Sequence, residues 1–138
     1  MIVYPDTSVL LAALIDDDLT EVARPWLAER PRLSLSAWTA AEFTSGIRLK
    51  VRKLELTEDQ ARRAEHLFDG LIPAPGLPEP LTNADVVEAR RLVAAAEALR
   101  APDALHIAVA DRLGHAFVTL DKAQKAAAIA RGLSVVDL

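Results

Sequence analysis

Three short runs of strand-forming residues, each followed almost at once by a helix signal, constrain this chain more than any other feature. Ile2–Tyr4, Arg32–Ala37 and His115–Asp121 read as strands, the last buried by its Phe, Val and Leu and the second by its alternation, "RLSLSA". A helix over Ser8–Ile15 follows the first, a long helix from Ser36 to about Lys53 the second, and Lys122–Ala130 the third. Strands that alternate with helices cannot pair as tight hairpins. They imply a mostly parallel sheet covered on both faces. The expected fold class is therefore α/β, a three-layer α/β/α arrangement.

Local signals set the expected boundaries. Pro5 has no backbone donor and suits the end of the first strand, with Thr7 or Ser8 capping the helix beyond it. Thr20–Glu29 is a second helix, closed near Pro31. Ser36 caps the long helix, and Thr57 with Gln60 forms a capping-box pattern ahead of a helix over Glu58–Leu71. "PAPGLPEP", Pro73–Pro80, is a loop with room for an extended edge segment. Helices over Asn83–Leu99 and Pro102–Leu113, the latter stopped by Gly114, precede the third strand. Gly132 ends the last helix, and Leu133–Val136 is a final strand. At 138 residues, with no internal repeat, residues 1–138 are one domain able to bury a core.

The long helix is apolar on two sides. Ala40, Phe43, Ile47, Val51 and Leu54 form one stripe, and Trp38, Ala41, Ser45 and Leu49 a second, with Glu42 lying among the second set. Core burial between layers, a homodimer and a contact with another protein all fit such a helix.

Composition excludes several chemistries. The chain has no cysteine, hence no disulfide, thiol nucleophile or thiolate metal site, which is compatible with a cytoplasmic protein. The apolar run Val9–Ile15 is too short for a membrane span and has no basic residues ahead of it, so a soluble, unprocessed protein is expected. The formal net charge is −4, where a nucleic-acid binder is more often basic. The charge is uneven, however. Asp16–Asp18 is an acidic cluster that reads as a solvated helix junction. "RLKVRK" places Arg48, Lys50, Arg52 and Lys53 together, as a solvated helix end or as contacts for RNA phosphates. Asp85 and Asp111, on helices, read as capping or solvated groups.

Four other acids share a topological position. In a parallel sheet the reactive crevice lies beyond the carboxyl ends of the strands. Asp6 ends the first strand and Asp121 the third. Asp103 opens the helix that returns to the third strand, and Glu42 sits early in the helix after the second. Each has an ordinary structural reading as well: Asp6 and Asp121 as helix caps, Asp103 as a first-turn acid favoured by the helix dipole. Together they pose an electrostatic problem, because each pair of carboxylates about 4 Å apart costs roughly 4 kcal/mol at an effective dielectric near 20. A divalent cation reverses that sign, and Mg²⁺ or Mn²⁺ prefers carboxylate and water oxygens. A water on such an ion, its pKa lowered, can attack a phosphodiester.

The segments "YPDTSVLLAAL", "SAWTAAEF", "APDALHIAVADRLG" and "FVTLDKAQKAAA", in this order and spacing, resemble the PIN-domain family, and within it the VapC-type toxins of VapBC toxin–antitoxin pairs. The likeness covers nearly the whole chain. "DTS" and "TLD" are weak alone; "DALHIA" ahead of "VTLD", with "DTS" at the N-terminus, is specific. The resemblance implies a PIN-like fold and an Mg²⁺- or Mn²⁺-dependent ribonuclease that cleaves structured RNA, often tRNA. It puts the family's four acids, as catalytic and metal-ligating groups, on Asp6, Glu42, Asp103 and Asp121, and its supporting hydroxyls on Ser8 and Thr119. It also implies a VapB-type antitoxin that wraps the toxin and blocks the acidic crevice with a basic side chain. Pro5 departs from the usual apolar strand residue without removing a ligand. His106, one turn after Asp103, recurs in the motif; Mg²⁺ disfavours imidazole, so it is read as structural.

Two other function classes differ in what they require. Aspartyl-phosphate phosphotransferases and phosphohydrolases also place an Asp after the first strand, but the haloacid-dehalogenase-like ones need a second Asp two residues on, where this chain has Ser8. A catalytically silent binding module has no need to keep all four acids.

Overall fold

The strand signals at the two ends of the chain meet in a small parallel sheet. In the computed structural model, which describes residues 1–138, β1 (Ile2–Pro5) lies between β2 (Arg32–Leu33) and β3 (Ala116–Val118). Both neighbours run parallel to it, with Val3 opposite Leu33 on one side and Tyr4 opposite Phe117 on the other. Parallel strands need crossovers. α1 (Thr7–Leu14) and α2 (Thr20–Ala28) connect β1 to β2. α3 (Ala37–Arg52), α4 (Glu58–Leu71), α5 (Asn83–Ala95) and α6 (Ala101–Leu113) connect β2 to β3, and α7 (Lys122–Arg131) follows. The mixed α/β class with a parallel sheet is the one expected.

The sheet is smaller than its sequence signals. After Leu33 the chain bonds β1 once more, Ser34 N–H to Val3 O at 2.9 Å, and then turns to the proline-rich loop. There Glu79 donates to Leu35 O and receives from Ala37 N–H, both at 2.8 Å, so the edge segment expected in Pro73–Pro80 amounts to one bridge between Ser36 and Glu79. Prolines at 73, 75, 78 and 80 remove the donors a longer ladder needs. Leu133–Val136 is likewise not a strand. It contacts β3 through a single bridge, Phe117 with Val135, because β3 is too short to template more.

Helix ends follow their caps. α4 begins at the Thr57–Gln60 capping box and spans the expected residues. α5 ends at Ala95, four residues early, since Ala96 turns to extended backbone so that Leu99 can enter the core ahead of α6. α1 is capped not by Thr7 or Ser8 but by Asp6. α6 ends at Gly114, whose φ of 66° lies in the left-handed region. Gly114→Ala is therefore expected to lower stability by about 1 kcal/mol, read as a lower urea midpoint at unchanged slope.

On α3 the two apolar sides separate. Thr39, Phe43 and Ile47 are buried, and Phe43 stacks on Phe68 of α4 with ring centroids 4.4 Å apart. Leu54 lies beyond the helix end and is almost fully exposed, so the first stripe stops at Val51. The second side is outward: Ala41, Ser45 and Leu49 are exposed, and only Trp38 is partly covered. Around the sheet, Tyr4 and Phe117 pack with α5, α6 and α7 on one side, and Val3, Val9 and Val118 with α1 and α2 on another. No helix is long and apolar enough to cross a membrane.

Candidate active site

Asp6 stands where β1 becomes α1, and the backbone on each side of it is pinned. Its N–H donates to Val118 O at 2.8 Å, which ties the end of β1 to the end of β3. Its Oδ2 caps α1, accepting from Ser8 N–H at 3.1 Å and from the Ser8 hydroxyl. Its Oδ1 accepts from Gln124 Nε2 at 3.1 Å and lies 3.5 Å from His106 Nε2. A carboxylate so surrounded has one rotamer, although it is a cap as well.

Asp121 is the corresponding cap of α7, its Oδ1 accepting from Gln124 N–H at 2.7 Å. Thr119 works through a relay rather than on an acid. Its hydroxyl accepts from Asp121 N–H at 3.0 Å and donates to Gln124 Oε1 at 2.5 Å. Gln124 is buried, and its amide joins Asp6 Oδ1 to the Asp103 backbone carbonyl at 3.2 Å. This glutamine is the residue that sequence reasoning missed. Its one signal is its place three residues into the helix that Asp121 caps, on the same turn.

Asp103 and Glu42 arrive on helices. Trp38 Nε1 donates to Pro102 O at 3.3 Å, which holds the first turn of α3 against the first turn of α6. Glu42 Oε1 then meets His106 Nε2 at 2.8 Å. His106 is fully buried, with Tyr4 Oη 3.1 Å from Nδ1 and Thr7 Oγ1 3.2 Å from Nε2. Tyr4 Oη also meets Ser36 Oγ at 2.6 Å and Thr39 Oγ1 at 3.0 Å. Burial pushes the Tyr4 phenol up to about 12, so it is a neutral hydroxyl at any ordinary pH.

The structure thus brings Asp6, Glu42, Asp103 and Asp121 together at the carboxyl edge of the sheet. Burial raises the Asp103 carboxyl above the usual range. The charge of Asp6 adds to that shift, as do those of Asp121 and Glu42, while Arg100 opposes it. Asp6, Glu42 and Asp121 have no lysine or arginine in ion-pair range. Arg100, itself exposed, approaches only Asp103, at 3.7 Å. No three of the Asp, Glu and His groups stand together as a ready-made ion cage. What stands there is a cluster of negative charge that Arg100 offsets only at Asp103, built of oxygen donors that suit a hard divalent cation.

The basic cluster lies apart from the acids. Arg48 to Lys53 sit roughly 9 to 16 Å along the α3 axis from Glu42. Arg48 makes two bonds to Glu58, at 2.8 and 2.7 Å, and Lys50 pairs with Glu55 at 3.3 Å. Arg52 and Lys53 have no acidic partner.

Comparison with known proteins bears on the fold and the family. A family model described as PIN domain matches residues 3–130. No curated protein matches the chain in sequence. Among solved structures, FitAcB from Neisseria gonorrhoeae is 22% identical, covering 99% of this chain and 97% of that one, with a TM-score of 0.70. VapBC2 from Rickettsia felis, bound to a DNA fragment from its promoter, is 16% identical over 100% of this chain and 99% of that one, TM-score 0.70. VapC20 from Mycobacterium tuberculosis, described as a Sarcin-Ricin loop cleaving toxin, is 19% identical over 91% and 94%, TM-score 0.71. At these identities the structures speak to the fold, whereas the family model spans nearly the whole sequence. The chain belongs to the PIN-domain family.

Proposed function

We propose that this protein is an Mg²⁺- or Mn²⁺-dependent endoribonuclease, the toxin of a toxin–antitoxin pair. The observation that carries the reading is the meeting of four carboxylates from four segments with no lysine or arginine to neutralise three of them. Asp6, Glu42, Asp103 and Asp121 would hold the cation. When bound, it supplies an activated water and steadies charge on the leaving oxygen of a phosphodiester. The chain's own part is orientation. Ser8 fixes the Asp6 rotamer, and the Thr119–Gln124 relay keeps Asp6, Asp121 and the start of α6 in register.

The likeness to VapC20, a Sarcin-Ricin loop cleaving toxin, supports RNA as the substrate, and the likeness to VapBC2 supports a VapB-type antitoxin partner. That the RNA is a tRNA and that the pair works in the cytoplasm are our own readings, which these likenesses do not carry. The outward side of α3 is the face we assign to assembly, with the antitoxin or with a second copy as a homodimer. Arg52 and Lys53, which have no acidic partner, with Arg48 and Lys50 beside them, are the groups we assign to RNA phosphates.

Purified protein incubated with total RNA tests the reading. Cleavage with Mg²⁺ or Mn²⁺, abolished by EDTA and by Asp6→Asn, is expected. No metal-dependent cut in any RNA would remove the proposal.

A further inference from the structure

His106 is fully buried one turn after Asp103, yet the chemistry above gives it no task. Its two ring nitrogens face different kinds of partner. Nε2 looks at acceptors: Glu42 Oε1 at 2.8 Å, Asp6 Oδ1 at 3.5 Å, and Thr7 Oγ1 at 3.2 Å, a hydroxyl that can accept. Carboxylate oxygens cannot donate, so Nε2 carries a hydrogen whatever the charge on the ring. Nδ1 looks only at Tyr4 Oη, which is itself tied to Ser36 and Thr39. Turning the ring over would put carbon in place of both nitrogens and strand these buried partners, and a hydrogen on Nδ1 alone would point a lone pair at Glu42.

Glu42 needs such a partner more than the other acids do. Asp6 and Asp121 are fixed as helix caps, and Asp103 is short and lies in the first turn of α6. Glu42 caps nothing, has three rotatable side-chain bonds, and makes no hydrogen bond other than the one to His106.

We propose that His106 is a positioning residue for Glu42: its Nε2–H, clamped by the Tyr4–Ser36–Thr39 hydroxyls, engages Oε1 and leaves Oε2 free for a divalent cation. The inference rests on the nuclease reading and extends it to a residue that touches neither cation nor RNA. Groups that orient a metal ligand typically change affinity or activity by about 10- to 100-fold.

The test is Mn²⁺ titration by calorimetry of the full chain, with circular dichroism as the check on folding. His106→Phe, which keeps a ring but no donor, is expected to weaken Mn²⁺ binding by about 10- to 100-fold. His106→Gln, which returns an N–H near Nε2, should restore it to within about 3-fold, under 1 kcal/mol by the usual conversion. A folded His106→Phe that binds Mn²⁺ as the parent does, or two variants that lose equally, overturns the proposal and leaves the nuclease reading standing. A parent protein that binds no Mn²⁺ removes both. Nitrogen-15 spectra of the metal-free parent need no variant. A hydrogen on Nε2 is expected, and a ring protonated on Nδ1 alone overturns the assignment.

Discussion

Asp103→Asn is expected to move activity and stability in opposite directions. Cleavage of RNA should fall by on the order of 10³-fold, because the substitution removes one of the charges we propose to hold the cation. The melting temperature of the metal-free protein should instead rise, by roughly 3 °C at pH 7. The reason is the sign of the carboxyl's shift. Burial raises it, and Asp6, Asp121 and Glu42 raise it further against the opposing pull of Arg100. The Arg100 contact is 3.7 Å long and exposed, so losing it costs little. A group whose folded value lies above its unfolded value contributes stability only in the protonated form. That contribution is complete below about pH 4, the unfolded value, and is lost as pH rises through the raised folded one. At pH 7 the charged Asp103 therefore works against the fold, and asparagine relieves it. The gain should vanish near pH 3. Mn²⁺ should raise the melting temperature of the parent and leave that of the variant nearly unmoved. Thermal unfolding across pH, with and without EDTA, reads all of this. A variant less stable than its parent at pH 7 in EDTA would show that the acids are not in electrostatic conflict.

What could be read in advance divides along the length of the interactions. The Thr57–Gln60 box is local, and the helix it opens has the boundaries its residues announce. A topological rule and a motif converge on Asp6, Glu42, Asp103 and Asp121, and of the caps the sequence offers for α1, Asp6, Thr7 and Ser8, the fold uses Asp6. Gln124 bonds Asp6 from 118 residues away, and Tyr4 bonds His106 from 102. No periodicity records such pairings, so both residues pass in the sequence for ordinary helix and strand. His106 shows the same limit: reading it as structural fits its burial, but its contact with Glu42 exists only once α3 and α6 are docked. Arg48 and Lys50 stand as a basic run in the sequence, and the acids that pair with them come from the α3–α4 turn and the start of α4. Short strands were overread at Arg32–Ala37 and Leu133–Val136, where side-chain pattern is suitable but neighbouring backbone is scarce.

Arg112→Met should be the most destabilising single change outside the apolar core, by about 3–5 kcal/mol or some 10–15 °C. Asp85 reads in sequence as a cap or a solvated acid. It is a cap, boxed with Thr82, but it is also almost wholly buried. Arg112 Nε and Nη2 reach its two oxygens at 2.7 and 3.0 Å, and Nη2 also donates to Pro80 O at 2.8 Å. Burial by itself pushes this carboxyl up; the hydrogen bonds from Arg112 and Thr82 outweigh burial and hold it below the usual range. In the parent, then, Asp85 contributes stability above about pH 4, and the contribution is lost as pH falls through the lowered folded value. Without Arg112 the sign inverts. The carboxylate keeps its burial and loses its partner, so the deficit of the variant should be largest at pH 7 and shrink toward pH 4 as the group takes up a proton. Asp85→Asn in the same background removes the stranded charge and retains the cap, and should recover more than half of the loss. Urea unfolding of the two single variants and the double variant at pH 4 and pH 7 measures this directly. Equal losses at both pH values would mean that Arg112 acts through its packing and its bond to Pro80. Because the pair ties the start of α5 to the end of α6 and leaves the acids at the other end of α6 untouched, the metal-dependent cleavage we propose should survive well below the lowered melting temperature.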